Sequence, residues 1–120
     1  MVDYKLGEME SKFVDLIWDN EPINSTELVR LSEKVMKWKK STTYTILKRL
    51  CDRGILKNEG AVVSAAISRN EFFEGQSRRF VEDTFEGSLP RFLTSFIGGK
   101  KLSDQQAEEL VRLINEHKED

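Results

Sequence analysis

Apolar and polar positions follow a helical period through the first part of the chain, change to a strand-like pattern near residue 55, and return to a helical period after Ser68. Met9, Phe13, Leu16 and Ile17 fall on one stripe and predict a first helix over residues 7–19. Glu8 and Glu10 suit its positive end, and Asn20-Glu21-Pro22 breaks it. A second helix opens at Asn24, which with Glu27 three residues on has the form of a capping box; Leu28, Leu31 and Val35 are its expected inward stripe. A third helix, residues 40–53, turns Thr43, Ile46, Leu47 and Leu50 inward, and Gly54 stands where a left-handed C-cap belongs. Ile55-Leu56 and residues 61–67 then read as two strands joined by a turn at Asn58-Glu59-Gly60.

Three helices followed by a hairpin is the order of a winged helix-turn-helix domain. Beyond it, Phe72, Phe73, Phe80, Val81 and Phe85 mark one helix that ends near Gly87. Ser88 caps another, with Pro90 in its first turn and a stripe of Leu89, Phe92, Leu93, Phe96 and Ile97. Gly98-Gly99 breaks that helix. Ser103 and Gln106 then form a capping box for the last one, whose stripe is Ala107, Leu110, Val111 and Ile114. The expected fold is mainly α with a small β-hairpin: a winged domain at residues 1–70 and a three-helix region at residues 71–120. Five aromatic residues from Phe72 to Phe92, plus Phe96, are too many for a tail that packs only on a small winged domain. A second copy would bury them, and the dimerisation surface is assigned to Phe80, Phe85, Leu89, Phe92, Leu93, Phe96, Leu110, Val111 and Ile114. The alternative is a tail that folds back on its own chain.

Composition narrows the function. With 38% apolar residues, 120 residues suffice for a modest core. No apolar run approaches the length of a membrane span, and residues 1–5 lack the basic-then-apolar order of a secretory signal. A lone cysteine, Cys51, excludes an internal disulfide framework and fits a reducing compartment, so a cytoplasmic location is expected. It reads as a small residue flanking the core, with redox sensing as the alternative if it is exposed. One Cys and one His, His117, do not make a tetrahedral metal site within one chain, and no cofactor is expected. No nucleophile–base constellation or phosphate loop is present, so no enzyme is expected.

The net charge of −2 conceals a strong asymmetry. Residues 1–33 carry three basic and eight acidic side chains, net −5. Residues 34–57 carry eight basic side chains against Asp52 alone, net +7, and residues 58–120 carry eight against twelve, net −4. The basic block contains the third helix, whose outward positions are Ser41, Thr42, Tyr44, Thr45, Lys48 and Arg49. Lys37, Lys39 and Lys40 stand at its N-terminus, where backbone N–H groups also favour a phosphate. Hydroxyls bond base edges or phosphates, a Thr methyl packs on a thymine methyl, and Arg49 reaches guanine or the backbone. These nine residues form the candidate DNA-binding set, with the helix in the major groove of double-stranded DNA. An ordinary solvated face is the competing account, but such a face mixes Glu with Lys, and no acidic residue occurs from position 34 to 51.

Residues 42–56, TTYTILKRLCDRGIL, closely resemble the recognition helix of the BlaI/MecI penicillinase-repressor family, whose pattern is T-V-x-T-x-L-x-R-L-x-x-K-G-x-L. Residues 10–18 are similar to that family's first helix, Phe85-Glu86-Gly87-Ser88-Leu89 matches its F-x-G-S-L signature, and residues 102–116 are similar too. The resemblance implies a homodimeric repressor on an inverted-repeat operator, with the three C-terminal helices as the dimer interface. Thr43 replaces the family's usual Val, and Lys57 is the only basic residue of a wing that usually carries an Arg. The resemblance also implies inactivation by a membrane sensor metalloprotease that cuts an Asn-Phe bond. Alignment through Gly87-Ser88-Leu89 places Ser95-Phe96 there as the candidate proteolysis site, without the Asn; the other account of this pair is a plain helix-core segment. The Cys-x-Cys pair of copper-responsive relatives is absent. Two further functions stay open: a protein–protein adaptor that has lost DNA binding, and a regulator gated by a small ligand in an aromatic pocket between protomers.

Overall fold

A computed structural model describes residues 2–119. The order is α1 (Glu8–Asn20), β1 (Ile23–Asn24), α2 (Ser25–Met36), α3 (Lys40–Asp52), β2 (Leu56–Glu59), β3 (Val62–Ala65), α4 (Arg69–Phe85), α5 (Leu89–Ile97) and α6 (Asp104–Glu116). The chain divides into two compact units, Met1–Arg79 and Phe80–Asp120, and α4 runs through the boundary without interruption. This is the mainly helical architecture with a small antiparallel sheet that the periodicity predicts.

The first unit has one core. Phe13, Val14 and Ile17 of α1 meet Leu28 and Met36 of α2, Leu47 and Leu50 of α3, Ile55 and Leu56 behind it, Val63 of β3 and Phe72 of α4. Each such side chain contributes roughly 1.5–3 kcal/mol by leaving water. The inward line of α2 differs from expectation: it runs Leu28, Ser32, Met36 in steps of four, and Val35 is exposed. Neighbouring helix positions lie about 100° apart, so the choice of Met36 turns Val35 to solvent. Met9 likewise faces water while Val14 enters the core. At the start of α2, the Asn24 side chain accepts a hydrogen bond from the Thr26 N–H at 2.9 Å, but Glu27 pairs with Arg30 at 2.6 Å and does not close the box.

The sheet has the order β1-β3-β2, all antiparallel. β1 was not expected; it is two residues long, with Ile23 opposite Val63 and Asn24 opposite Val62. In the hairpin Leu56 pairs with Ala65 and Glu59 with Val62, so Asn58 and Glu59 are strand residues and the turn is Gly60-Ala61. Both turn residues have positive φ, 58° and 67°, as a two-residue hairpin turn with the twist of its strands requires. Burial of Leu56 and Val63 on one face fixes this register, because a one-residue slip would turn both outward.

In the second unit Ser88 accepts from the Arg91 N–H at 3.2 Å and Ser103 from the Gln106 N–H at 3.1 Å, so both serines cap as the sequence predicts. Phe80, Phe85 and Phe92 meet edge to face with centroids 5.7, 6.0 and 6.1 Å apart, and Phe96 packs on Phe92 at 5.7 Å with the two rings tilted by 41°. No residue of α5 or α6 is fully buried.

Ala61 is an L-residue in a left-handed conformation, which costs about 1–2 kcal/mol. Ala61→Gly is therefore expected to raise the unfolding free energy by roughly 0.5–1 kcal/mol after glycine's extra unfolded-state entropy is subtracted. Urea denaturation checks this; a destabilised variant would contradict the turn assignment.

Candidate nucleic-acid interface

The approach to α3 is a three-residue turn, Lys37-Trp38-Lys39. Lys37 takes up a left-handed conformation, φ 62°, and its N–H bonds the Ser32 carbonyl to close α2. Trp38 drops onto the core, its ring 5.1 Å from that of Phe13. One apolar residue thus pins the turn while Lys37, Lys39 and Lys40 stay exposed on either side of it. Trp38 carries no signal in a helical stripe, because it lies between helices.

Within α3, Thr43, Leu47 and Leu50 are buried and Ile46 is half-buried. Thr43 Oγ1 donates to the Lys39 carbonyl at 3.2 Å, so its hydroxyl is satisfied inside the core. Ser41, Thr42, Tyr44, Thr45, Lys48 and Arg49 are all exposed on the other side. The Thr45 hydroxyl donates to the Ser41 carbonyl at 2.9 Å, which fixes its rotamer and leaves its methyl and oxygen lone pair outward. Tyr44 leans away from the centre of this face: its hydroxyl lies 3.4 Å from Ser25 Oγ, at the buried start of α2.

The cations of the strip divide into two groups. Lys48 pairs with Asp52 at 3.2 Å and Arg49 with Glu10 at 3.7 Å. Lys37, Lys39 and Lys40 have no ion pair among the described residues. The unneutralised charge is therefore concentrated at the N-terminal end of α3, beside the first-turn N–H groups. The Lys48–Asp52 pair is exposed on both sides and weak, of order 0–1 kcal/mol, so Lys48 exchanges its carboxylate for a phosphate at small cost, whereas Arg49 sits half-exposed beside a largely buried Glu10 that Arg53 also holds.

Arg53 belongs to neither group and has a different task. It is the C-cap of α3 and bonds Glu10 at 3.3 Å, Asp3 at 3.2 Å and the Lys5 carbonyl. Glu10 also accepts the Gly7 N–H at 3.0 Å, so one carboxylate holds the start of α1 and the end of α3 together. A pair separated by 43 positions leaves no local mark on the sequence.

At the hairpin, Lys57 and Glu59 lie two apart on one exposed strand face, so the wing carries almost no net field. Cys51 is half-buried on α3; burial pushes its thiol pKa up, the Asp52 charge adds to this, and Lys48 opposes it. That environment disfavours the thiolate that redox sensing needs. Ser95 and Phe96 are exposed in the last turn of α5.

Similarity to known proteins agrees with this geometry. The pattern of the family described as penicillinase repressor matches residues 6–116. The penicillinase repressor of Bacillus licheniformis is 27% identical over 118 residues, covering 95% of this chain and 92% of that protein. The methicillin resistance regulatory protein MecI of Staphylococcus aureus strain N315 is 18% identical over 116 residues, covering 93% of this chain and 94% of that protein, and MecI of Staphylococcus epidermidis matches equally. With the match spanning both units and the whole of α3, this chain belongs to the penicillinase-repressor family of DNA-binding transcriptional repressors.

Proposed function

We propose that this protein represses transcription as a homodimer on an inverted-repeat operator, each copy laying α3 in the major groove. The observation that carries this is the exposed polar face of α3, with three unpaired lysines at its N-terminal end. Phosphates dock on Lys37, Lys39, Lys40 and the adjoining N–H groups and set the register of the helix. Thr42, Thr45 and Arg49 then face base edges, with Ser41, Tyr44 and Lys48 at the flanks of the groove. The near-neutral wing adds little affinity.

One copy makes few contacts, and the second unit supplies the reason for two. Phe80 is 51% exposed, Leu89 53%, Phe96 74% and Val111 57%, a larger apolar display than a small monomer carries. Pairing through this surface, with Phe85, Phe92, Leu93, Leu110 and Ile114 contributing, places two recognition helices on half-sites about one helical turn apart. The partners in this scheme are an operator duplex and a second copy, in the cytoplasm. A membrane sensor protease acting at Ser95-Phe96 would cut inside the dimerisation surface and so release the operator.

Selection of bound duplexes from random-sequence DNA tests the scheme, and an inverted repeat is the expected product. Against the selected duplex, Thr45→Ala and Arg49→Ala are each expected to cost about 1–3 kcal/mol while binding to random DNA is unchanged. Titration by fluorescence anisotropy reads both; equal losses on the two DNAs would contradict base reading by that residue. Lys39→Ala and Lys40→Ala are expected to weaken binding to every sequence and to reduce the slope of log affinity against log salt by about one each. An unchanged slope would remove these lysines from the phosphate contacts.

A further inference from the structure

Residues 2–6 lie outside every helix and strand, yet they are held on two sides. On one side is the end of α3. The Asp3 carboxylate pairs with Arg53 at 3.2 Å, the Asp3 N–H donates to the Arg53 carbonyl at 3.3 Å, and the Arg53 guanidinium bonds the Lys5 carbonyl. The Lys5 N–H donates to Asp3 at 3.0 Å, and this bond, with Arg53 behind it, holds the Asp3 carboxyl below the usual carboxylate range. On the other side is α4. The Tyr4 ring sits 5.6 Å from the Phe72 ring and lies directly on Gly75. A Cβ on Gly75 would collide with the outer end of the Tyr4 ring, at Cζ and Cε1. Val2 and Leu6, either side of Tyr4, also pack against the core.

Gly75 occupies the interior of a 17-residue helix, where glycine is the poorest choice after proline. Its φ is not in the left-handed region, so the backbone does not require it. What its missing side chain provides is the seat for Tyr4.

We propose that residues 2–6 are a strap that fixes the recognition helix α3 against α4, and that Asp3, Tyr4 and Gly75 are positioning residues for DNA recognition. The inference rests on the proposal that α3 reads DNA. Arg53 is the far end of a rigid rod: Arg49 and Thr45 lie four and eight residues along it, about 6 and 12 Å at the helical rise. A tilt at the Arg53 end is magnified at those side chains, and hydrogen bonds to base edges fail with small displacements. Phosphate contacts from flexible lysines tolerate the same tilt, since a point charge on a long stem re-aims. Loosening the strap therefore removes sequence discrimination and spares non-specific binding.

Gly75→Ala is the cleanest probe. Its methyl displaces only the end of the Tyr4 side chain, and the substitution favours the helix that carries it. With the full chain and the duplex enriched by selection, Gly75→Ala and Tyr4→Ala are each expected to lose about tenfold in affinity, the equivalent of one well-placed base contact. Affinity for random duplex stays within about twofold, because its source is phosphate. Gly75→Ala melts no lower than wild type, its Asp3 amide loses protection from hydrogen exchange, and Tyr4→Phe binds as wild type. The double variant is no worse than either single one, as expected of groups acting through one contact. Wild-type affinity for the selected duplex in Gly75→Ala, with the Asp3 amide unprotected, would overturn the strap alone. Equal losses on selected and random duplexes, with a lowered melting point, would overturn it as well. A wild-type chain that enriches no sequence would instead overturn the DNA reading, and the strap with it.

Discussion

The packing of α3 through Thr43, Leu47 and Leu50 is the constraint on which the rest of the first unit depends. A helix of 13 residues has two faces, and α3 spends one of them closing the core against α1, α2 and the hairpin. The other is then obliged to face outward, and it carries hydroxyls and cations with no carboxylate before Asp52. Everything around α3 serves to hold that orientation. Trp38 anchors its start against Phe13, and Arg53 anchors its end through Glu10, Asp3 and Lys5.

Much of this was legible from the order of residues, for a physical reason. α1, α3, α5 and α6 are surface helices with one buried or apolar stripe, and such stripes repeat at a period that shows in one dimension. The caps at Asn24, Ser88 and Ser103 are local hydrogen bonds and are read from neighbours three residues apart or fewer. The basic block was visible once charge was resolved by segment, and the family resemblance found on residues 42–56 agrees with the pattern match across residues 6–116.

What escaped was non-local or a matter of register. β1 is two residues long and exists only because β3 offers it an edge. The hairpin turn fell at Gly60-Ala61, and not at Asn58-Glu59-Gly60, because burial of Leu56 and Val63 outweighed the turn preference of Asn58. Val35 lost its inward place to Met36 by one helical position. The bonds of Arg53 to Glu10 and the seating of Tyr4 on Gly75 join residues 43 and 71 positions apart, and periodicity has no access to either. In the strip itself, segment charge could not separate the free lysines at the start of α3 from the paired Lys48, Arg49 and Arg53.

The second unit poses the complementary problem. Its aromatic side chains touch one another, but no residue of α5 or α6 is fully buried, so much apolar area stays in contact with water. In the proposed assembly a second copy covers that area, and the two-fold axis this creates gives the operator its inverted repeat. Recognition helices that act in pairs leave a distinctive mark in a hydroxyl-radical footprint of the full chain on the selected duplex. Two protected patches about one helical turn apart are expected to appear together over the same range of protein concentration. A single patch, or two patches that fill independently, would contradict pairing of the recognition helices.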